Sequence, residues 1–223
     1  ALLFIGSKLV FRYKSNNAAI VLSMLGVWFI ALIALVTVSA SQVGNYKSRS
    51  SITNSETISC DSCQTLYLEL AEDKYKEYFE TDWDLDNFKV VVVDGEEVML
   101  GQPRLDVEKS SSEDFVITIK NSSRGRTRED AKESTDYIAY HYSIDDSTLS
   151  FDPFFILEED GKWRNQEVDI TVKVPEGKAI YLGEELVKII HDIENVSNTW
   201  DGDMVGEFWE MKIEGLTKKE IAE

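Results

Sequence analysis

Residues 18–43 read AAIVLSMLGVWFIALIALVTVSASQV and carry no charged side chain. The uncharged stretch extends further, since no charged residue occurs between Lys14 and Lys47. A transmembrane helix needs about 20 apolar residues to cross a hydrocarbon layer of about 30 Å. The alternative, a core helix of a soluble protein, rarely stays apolar on every face over such a length. The sequence therefore predicts a membrane-spanning helix over residues 18–43.

The residues before this helix predict its orientation. Residues 1–11, ALLFIGSKLVF, are mostly apolar, and the charges follow them rather than precede them as in a signal peptide. We predict that they are the end of a preceding membrane helix. The loop 12–17 carries Arg12 and Lys14, and short basic loops stay cytoplasmic. The chain after the helix is then extracytoplasmic, although two basic residues just beyond the helix are a weaker opposing signal.

The charge of the chain is strongly negative and unevenly distributed. There are 41 acidic and 23 basic residues, a net charge of −18, yet the first fifty residues hold five basic residues and no acidic one. The rest of the chain therefore carries the whole acidic excess. Such a domain repels the phosphate backbone of nucleic acids. We expect no nucleic-acid partner, and the acidity fits solubility, divalent-cation binding or a cationic partner.

Beyond the helix, the pattern predicts a polar linker and then a β domain. The linker 44–57, GNYKSRSSITNSET, has no apolar periodicity and is expected to be mobile. In the domain, 58–223, apolar residues alternate, which is typical of strands. Asp94-Gly95 between two apolar runs predicts a tight hairpin. The predicted strands cover residues 66–70, 89–93, 98–100, 104–108, 114–120, 137–144, 148–157, 167–174 and 206–216.

Two stretches depart from strand periodicity. A short helix packed on a sheet is predicted in EELVKIIHDI at 184–193, because apolar residues there fall at helical spacing: Leu182, Leu186, Ile189, Ile190 and Ile193. Residues 124–136 read as an exposed connection with at most a helical turn. The predicted fold class is therefore mainly β, with at most one short helix in the domain.

The chain offers few residues suited to catalysis or metal binding. Cys60 and Cys63 are candidates for a local disulfide or for two idle thiols, because a zinc site needs four ligands. An EF-hand beginning at Asp82 fails at its obligatory glycine and glutamate positions. His141 and His191 are expected to be surface or structurally satisfied histidines. We therefore predict no catalytic, cofactor-binding or metal-binding residues and no cofactor.

Several segments resemble phage-shock-protein-C-type (PspC-type) membrane proteins of the Bacteroidetes lineage. The most specific is KWRNQEVDITVKVPEGKAIYL at 162–182, and FWEMKIEGL at 208–216 is similar to the closing strand of that family. The segments 123–142 and 149–155 are similar to its central section. IGSKLVFRYK and the following helix resemble the paired-helix region shared with LiaF-like proteins.

The resemblance implies a stacked-strand, toast-rack β domain behind paired membrane helices. It also implies a regulatory role in envelope stress, at the inner membrane of a bacterium, without enzymatic activity. The expected partners are the lipid bilayer and other membrane helices or envelope proteins. The positions that carry the family motif are expected to be structural: Trp163, Arg164, Pro175, Gly177, Trp209, Met211 and Gly215.

Three functions follow from these observations. The first is a membrane-anchored, non-enzymatic regulator whose outer β domain senses or binds an envelope component or partner. The second is a membrane-tethered adhesion or scaffold module without a signalling role. The third, a tethered hydrolase that uses His141, has the least support, because no nucleophile motif accompanies that residue.

Overall fold

The computed structural model describes residues 17–44, 46–58, 63–81, 83–85, 88–158 and 161–220. The chain forms two compact units, residues 1–46 and residues 47–223. The predicted end of a preceding helix, residues 1–11, and most of the predicted loop 12–17 lie outside the described residues.

The first unit contains the helix α1 (Asn17–Gly44). The window Leu22–Ser39 has a mean hydropathy of 2.3, and none of its residues is buried. At about 1.5 Å per residue, 28 residues extend about 42 Å, which is enough to cross a bilayer. The hydroxyl of Thr37 donates to the carbonyl oxygen of Ile33 at 2.9 Å, so this polar side chain is satisfied within the helix. The predicted helix is confirmed to within a residue at each end.

The second unit is built from strands. In chain order the described strands are β1 Ser48–Ile58, β2 Thr65–Leu70, β3 Trp83–Leu85, β4 Phe88–Val93, β5 Glu96–Gly101, β6 Arg104–Lys109, β7 Phe115–Gly125, β8 Ile138–Ala139, β9 Tyr142–Asp145, β10 Thr148–Phe151, β11 Phe155–Leu157, β12 Glu167–Val174, β13 Ala179–Leu182, β14 Glu207–Lys212 and β15 Gly215–Lys218. The helix α2 (Arg128–Asp136) and three 3₁₀ turns, Lys76–Thr81, Glu184–Lys188 and Asp201–Asp203, complete the described elements.

These strands form three sheets within the described residues. The sheet orders are β1-β7-β12-β6, β15-β14-β13-β2-β10-β9 and β3-β4-β5-β11-β8. Most neighbours are antiparallel, but β6 runs parallel to β12, and β2 runs parallel to both β10 and β13. Apolar side chains from all three sheets pack into one core cluster. The mainly β fold class predicted from the sequence is confirmed.

The strand β12 shows why the sequence pattern is informative. Val168, Ile170, Val172 and Val174 are all buried, whereas the residues between them are half-exposed. Successive side chains of a strand point to opposite faces, so one face of β12 packs on the core and the other meets solvent. The predicted bounds, 167–174, agree with the structure. The predicted Asp94-Gly95 hairpin is also present, with both residues at positive φ.

The chain changes sheets twice within runs that the sequence predicts as single strands. In 137–144, β8 belongs to the five-stranded sheet and β9 to the six-stranded sheet. In 148–157, β10 and β11 divide in the same way. The two crossing points are joined, because the N–H of Asp152 donates to the carbonyl of His141 at 3.2 Å. The Tyr140 hydroxyl adds a bond to the Asp152 carbonyl at 3.1 Å.

The linker predicted over 44–57 is wrong for most of its length. Residues 48–58 are the strand β1, which pairs with β7 along all eleven residues. Most side chains of β1 are exposed, so its polar composition carries no apolar alternation. The strand is held by its backbone hydrogen bonds to β7, which composition does not reveal.

The helix predicted near residues 182–193 is also wrong. Leu186 and Ile189 are buried as expected, but the backbone forms only the 3₁₀ turn Glu184–Lys188. Ile190 then bridges to Leu105 of β6, which draws the chain into extended conformation. Among the described residues of the domain, the α-helix is α2 instead, within the stretch 124–136 that the sequence predicts as an exposed connection. Its first turn is capped by the Thr127 hydroxyl, which accepts from the N–H of Asp130 at 3.1 Å.

Candidate functional site

The candidate site is a groove beside β6, called here the β6 groove. It lies between β6, the segment 191–196 and the turn that joins β14 to β15, and it has a volume of about 670 Å³. The groove exists because β6 is the last strand of the four-stranded sheet: β12 pairs with one edge of β6, and the other edge faces the groove. Its lining therefore includes the backbone of an open sheet edge.

The open edge of β6 is paired at one residue. The N–H of Leu105 donates to the carbonyl of Ile189 at 2.7 Å, and the N–H of His191 donates to the carbonyl of Leu105 at 2.9 Å. These bonds form an isolated parallel bridge between Leu105 and Ile190. Since backbone groups alternate in direction along a strand, those of Val107 and Lys109 also point away from β12, into the groove.

Two carboxylates end this pairing after one bridge. A continued parallel ladder would join the N–H of Val107 to residue 191 and the N–H of Ile193 to Val107. Instead, the side chain of Asp106 accepts from the Val107 N–H at 2.7 Å. The side chain of Asp201 accepts from the Ile193 N–H at 3.1 Å. The two segments therefore separate, and the groove opens between them.

The groove is anionic. Its acidic lining residues are Asp106, Glu108, Asp169, Asp192, Glu194 and Glu214. Its two cationic residues are already paired: Arg104 donates to Asp169 at 2.6 Å, and Lys109 donates to Glu176 at 2.8 Å. Burial, and then the neighbouring carboxylates led by Glu108, raise the pKa of Asp106 above its usual range. The unbalanced charge in the groove is therefore negative.

Exposed apolar side chains occur on the segments that line the groove and continue from it. Ile213, in the turn between β14 and β15, is 79% exposed. Val196 lines the groove and is half-exposed. Trp200, on the loop that continues from the groove wall, is 77% exposed. Exposed Trp and aliphatic side chains beside a groove are typical of protein interaction surfaces.

A family model described as the toast rack found in some PspC proteins matches residues 94–220, more than half of the chain. The chain belongs to this toast-rack family. Comparisons with curated proteins and with solved structures gave no match. The match confirms the predicted toast-rack domain, and together with α1 it indicates a membrane-anchored protein. The Bacteroidetes lineage and the paired helices stay predictions.

Several motif positions meet at one corner of the toast-rack domain. The turn that joins β12 to β13 begins at Pro175, which is buried, and it includes Gly177 at φ +79°. The N–H of Gly177 donates to the carbonyl of Met211 at 2.8 Å, and the N–H of Met211 donates to Lys178 at 2.9 Å. This corner carries the chain from the four-stranded to the six-stranded sheet. Met211 and Trp209 are buried behind it.

The remaining motif positions also make contacts within the toast-rack fold. The ring of Trp163 packs on Phe88 with centroids 4.2 Å apart. The carbonyl of Arg164 accepts from the N–H of Arg124 at 2.8 Å, which ties the chain before β12 to β7. Gly215, at φ +129°, begins β15 after the turn. Four of the seven motif positions therefore lie at the corner between β12 and β13, and Trp163, Arg164 and Gly215 make separate contacts.

The histidines and cysteines of the toast-rack domain occupy separate places. His141 is exposed at a crossing between sheets, and His191 is exposed at the β6 groove. Among the described residues, no cluster of three His, Cys, Asp or Glu side chains is arranged to hold a metal. Cys63 is disulfide-bonded, but Cys60, the other cysteine of the chain, lies outside the described residues. The Cys60–Cys63 pairing stays a prediction.

Sequence reasoning missed the β6 groove. Its acids come from β6, from β12, from the segment 192–194 and from the turn between β14 and β15, and only the folded chain brings them together. One local signal was available in RLDVEK at 104–109, where charged residues alternate with Leu105 and Val107. Short, charged strands are typical of sheet edges.

Proposed function

We propose that this protein is a membrane-anchored regulator of the bacterial cell envelope. Its toast-rack domain would bind an envelope component or partner, and α1 would link that event to the membrane. The observation that carries the proposal is the joint presence of a PspC-associated toast-rack domain and a bilayer-length apolar helix. A ligand that favours one arrangement of the anchored protein would shift its population toward that arrangement.

The charge pattern supports an extracytoplasmic position for the domain. Arg12 and Lys14 precede α1 and favour the cytoplasmic side for its N-terminal end. The domain that follows is strongly acidic, and acidic residues impose little constraint on membrane crossing. The inner membrane, as the membrane that borders the cytoplasm, is the proposed location.

The β6 groove supports a binding role without catalysis. The carboxylates of Asp106 and Asp201 are engaged by backbone N–H groups, and Asp169 is engaged by Arg104. Such an arrangement fixes a shaped, charged surface. We therefore propose a non-enzymatic protein.

A strain that lacks the domain tests this proposal. Deleting residues 47–223 while keeping α1 should abolish the change in stress-response transcripts that the full protein supports. The comparison strain expresses the full-length protein at the same level, so that both strains contain α1 in equal amount. An unchanged transcriptome would reject the regulator and favour the passive scaffold.

The proposed orientation has its own test. Protease added to intact spheroplasts should remove the domain, whereas a cytoplasmic marker protein should survive. Survival of the domain would place it on the cytoplasmic side and reject the extracytoplasmic assignment. Recovery of the protein in the soluble fraction without detergent would reject the membrane anchor.

A further inference from the structure

We infer that the open edge of β6 binds an extended, cationic segment of a partner protein as an added strand. The inference rests on the proposed function, because it names the chemistry of the partner that the toast-rack domain binds. It goes beyond a general binding role by assigning the site, the backbone conformation of the partner and its sequence pattern.

The backbone of β6 supplies the hydrogen bonds. The carbonyl of Val107 and the N–H of Lys109 face the groove, and among the described residues the structure shows no backbone partner for either group. In a parallel ladder, one residue donates its N–H to a carbonyl of the neighbouring strand and accepts from the N–H two residues further along that strand. The Val107 carbonyl and the Lys109 N–H could therefore both bond to one residue of an added parallel strand. The bridge between Leu105 and Ile190 shows that this edge accepts a parallel neighbour.

The two faces of β6 favour different side chains at alternate positions of the added strand. Asp106 and Glu108 lie on the solvent face of β6, whereas Leu105 and Val107 lie on its buried face. An added strand would place alternate side chains beside each face. One set would meet the two carboxylates, and the other would meet apolar lining such as Val196. A segment that alternates cationic and aliphatic residues satisfies both.

The negative charge of the groove favours a cationic partner protein over a second copy of this chain. Six acidic side chains line it; Arg104 is paired with one of them, Asp169, and Lys109 is paired with Glu176 outside the lining, so five lining carboxylates are not balanced by a lining Arg or Lys. A second copy pairing edge to edge would bring two sets of like charges together, which is destabilising. A cationic segment would neutralise the carboxylates that already raise the pKa of Asp106. Complementary charge also accelerates association.

Peptide binding to the full-length protein in detergent micelles tests the inference. The probe is a fluorescein-labelled heptapeptide that alternates Lys and Val, and its binding is followed by anisotropy. A second peptide has Pro in place of the central Val, which removes one N–H and disfavours a paired strand. A third has Glu in place of every Lys. We expect at least tenfold weaker binding for the Pro peptide and none for the Glu peptide.

Matched protein variants locate the site. Asp192→Lys with Glu194→Lys reverses two exposed charges of the groove wall, and Glu133→Lys with Asp136→Lys makes the same charge change on α2. The first pair should weaken binding of the Lys–Val peptide more than tenfold, whereas the second should change it less than threefold. Hydrogen exchange at Lys109 should slow when the peptide is bound.

Three results would overturn the inference. Equal binding of the Pro peptide would show attraction by charge without strand pairing, and equal effects of the two variant pairs would place binding elsewhere. The absence of any binding by the Lys–Val peptide would also reject it. None of these results bears on the deletion strain, so a regulator with a different binding surface would remain if transcripts still respond.

Discussion

Gly101, in the five-stranded sheet, leaves no room for a Cβ atom, and replacing it with alanine tests how the core is packed. Gly101 lies on β5 opposite Phe88 on one neighbour and Phe155 on the other. A Cβ atom at residue 101 would lie 2.0 Å from Cζ of Phe155 and 2.5 Å from both Cε atoms. Carbon atoms in ordinary contact are about 3.5–4.0 Å apart. The Phe155 ring is 1% exposed, so it has no solvent-filled space to enter.

The expected destabilisation follows from this overlap. Overpacking a core typically costs about 1–3 kcal/mol. An overlap of about 1.5 Å with Cζ and about 1 Å with each Cε atom favours the upper end of that range. Alanine also lowers the conformational entropy of the unfolded chain, which offsets about 0.4–1 kcal/mol of this destabilisation. We therefore expect Gly101→Ala to lower the free energy of unfolding by about 2 kcal/mol.

A second substitution isolates the cause. Phe155→Leu removes the far end of the ring, so Gly101→Ala should cost much less in that background. The coupling free energy between the two positions should be about 1–2 kcal/mol, within the range for residues in contact. Gly202→Ala is the control, since its Cβ meets only the exposed ring of Trp200 at 3.1 Å. The control should change stability by less than about 0.5 kcal/mol.

Equilibrium unfolding in urea measures these values. The purified full-length protein in mild detergent is followed by tryptophan fluorescence, and the midpoint and slope are compared for the four proteins of the cycle. Wild-type stability for Gly101→Ala would refute the packing argument. Strict additivity of the two substitutions would show that the cost does not arise from the ring of Phe155.

Three further perturbations probe separate contacts. Trp209→Phe removes the indole N–H that donates to the Met204 carbonyl at 2.9 Å. Because this leaves a buried carbonyl without that donor, the free energy of unfolding measured in urea should fall by about 1–3 kcal/mol. An unchanged urea midpoint would contradict this. Thr127→Ala removes the N-terminal cap of α2 and should lower the free energy of unfolding by about 1 kcal/mol. Hydrogen exchange should become faster in residues 128–136, whereas exchange in β12 should stay unchanged. Burial, and then the hydrogen bond to Glu56, raises the pKa of Tyr142 to about 12. Because this pKa is above the unfolded value of about 10, the associated stability is complete below pH 10 and is lost as the pH rises through 12. Alkaline titration by phenolate absorbance should show a lower pKa for Tyr142 in Glu56→Gln, and an unchanged titration would reject the contact.

The sequence predicts the parts of this fold that local periodicity determines. The burial of alternate residues in β12 follows directly from its alternating apolar residues, and Asp94-Gly95 predicts its hairpin because few other residues adopt two positive φ angles in succession. The strand β1 is invisible to the same reasoning. It is a polar edge strand whose order comes from pairing with residues more than fifty positions away.

The changes between sheets and the β6 groove escaped prediction for a related reason. An apolar run such as 148–157 reads as one strand, because burial in two different sheets demands the same residue types. The groove depends on a parallel pairing of β6 with β12 and on a single bridge to Ile190. Neither pairing leaves a periodic mark in the sequence, so the candidate site required the three-dimensional arrangement.

The position of β2 has a consequence for biosynthesis. This strand lies in the middle of the six-stranded sheet, and its neighbours β10 and β13 begin roughly 80 and 110 residues later. At translation rates of about 5–20 residues per second, Leu66 and Leu68 stay without their final neighbours for several seconds or more. The nascent chain is therefore exposed to aggregation during that interval. Helper proteins that shield unfolded chains should increase the yield of this domain more than that of one whose strands pair in order of synthesis.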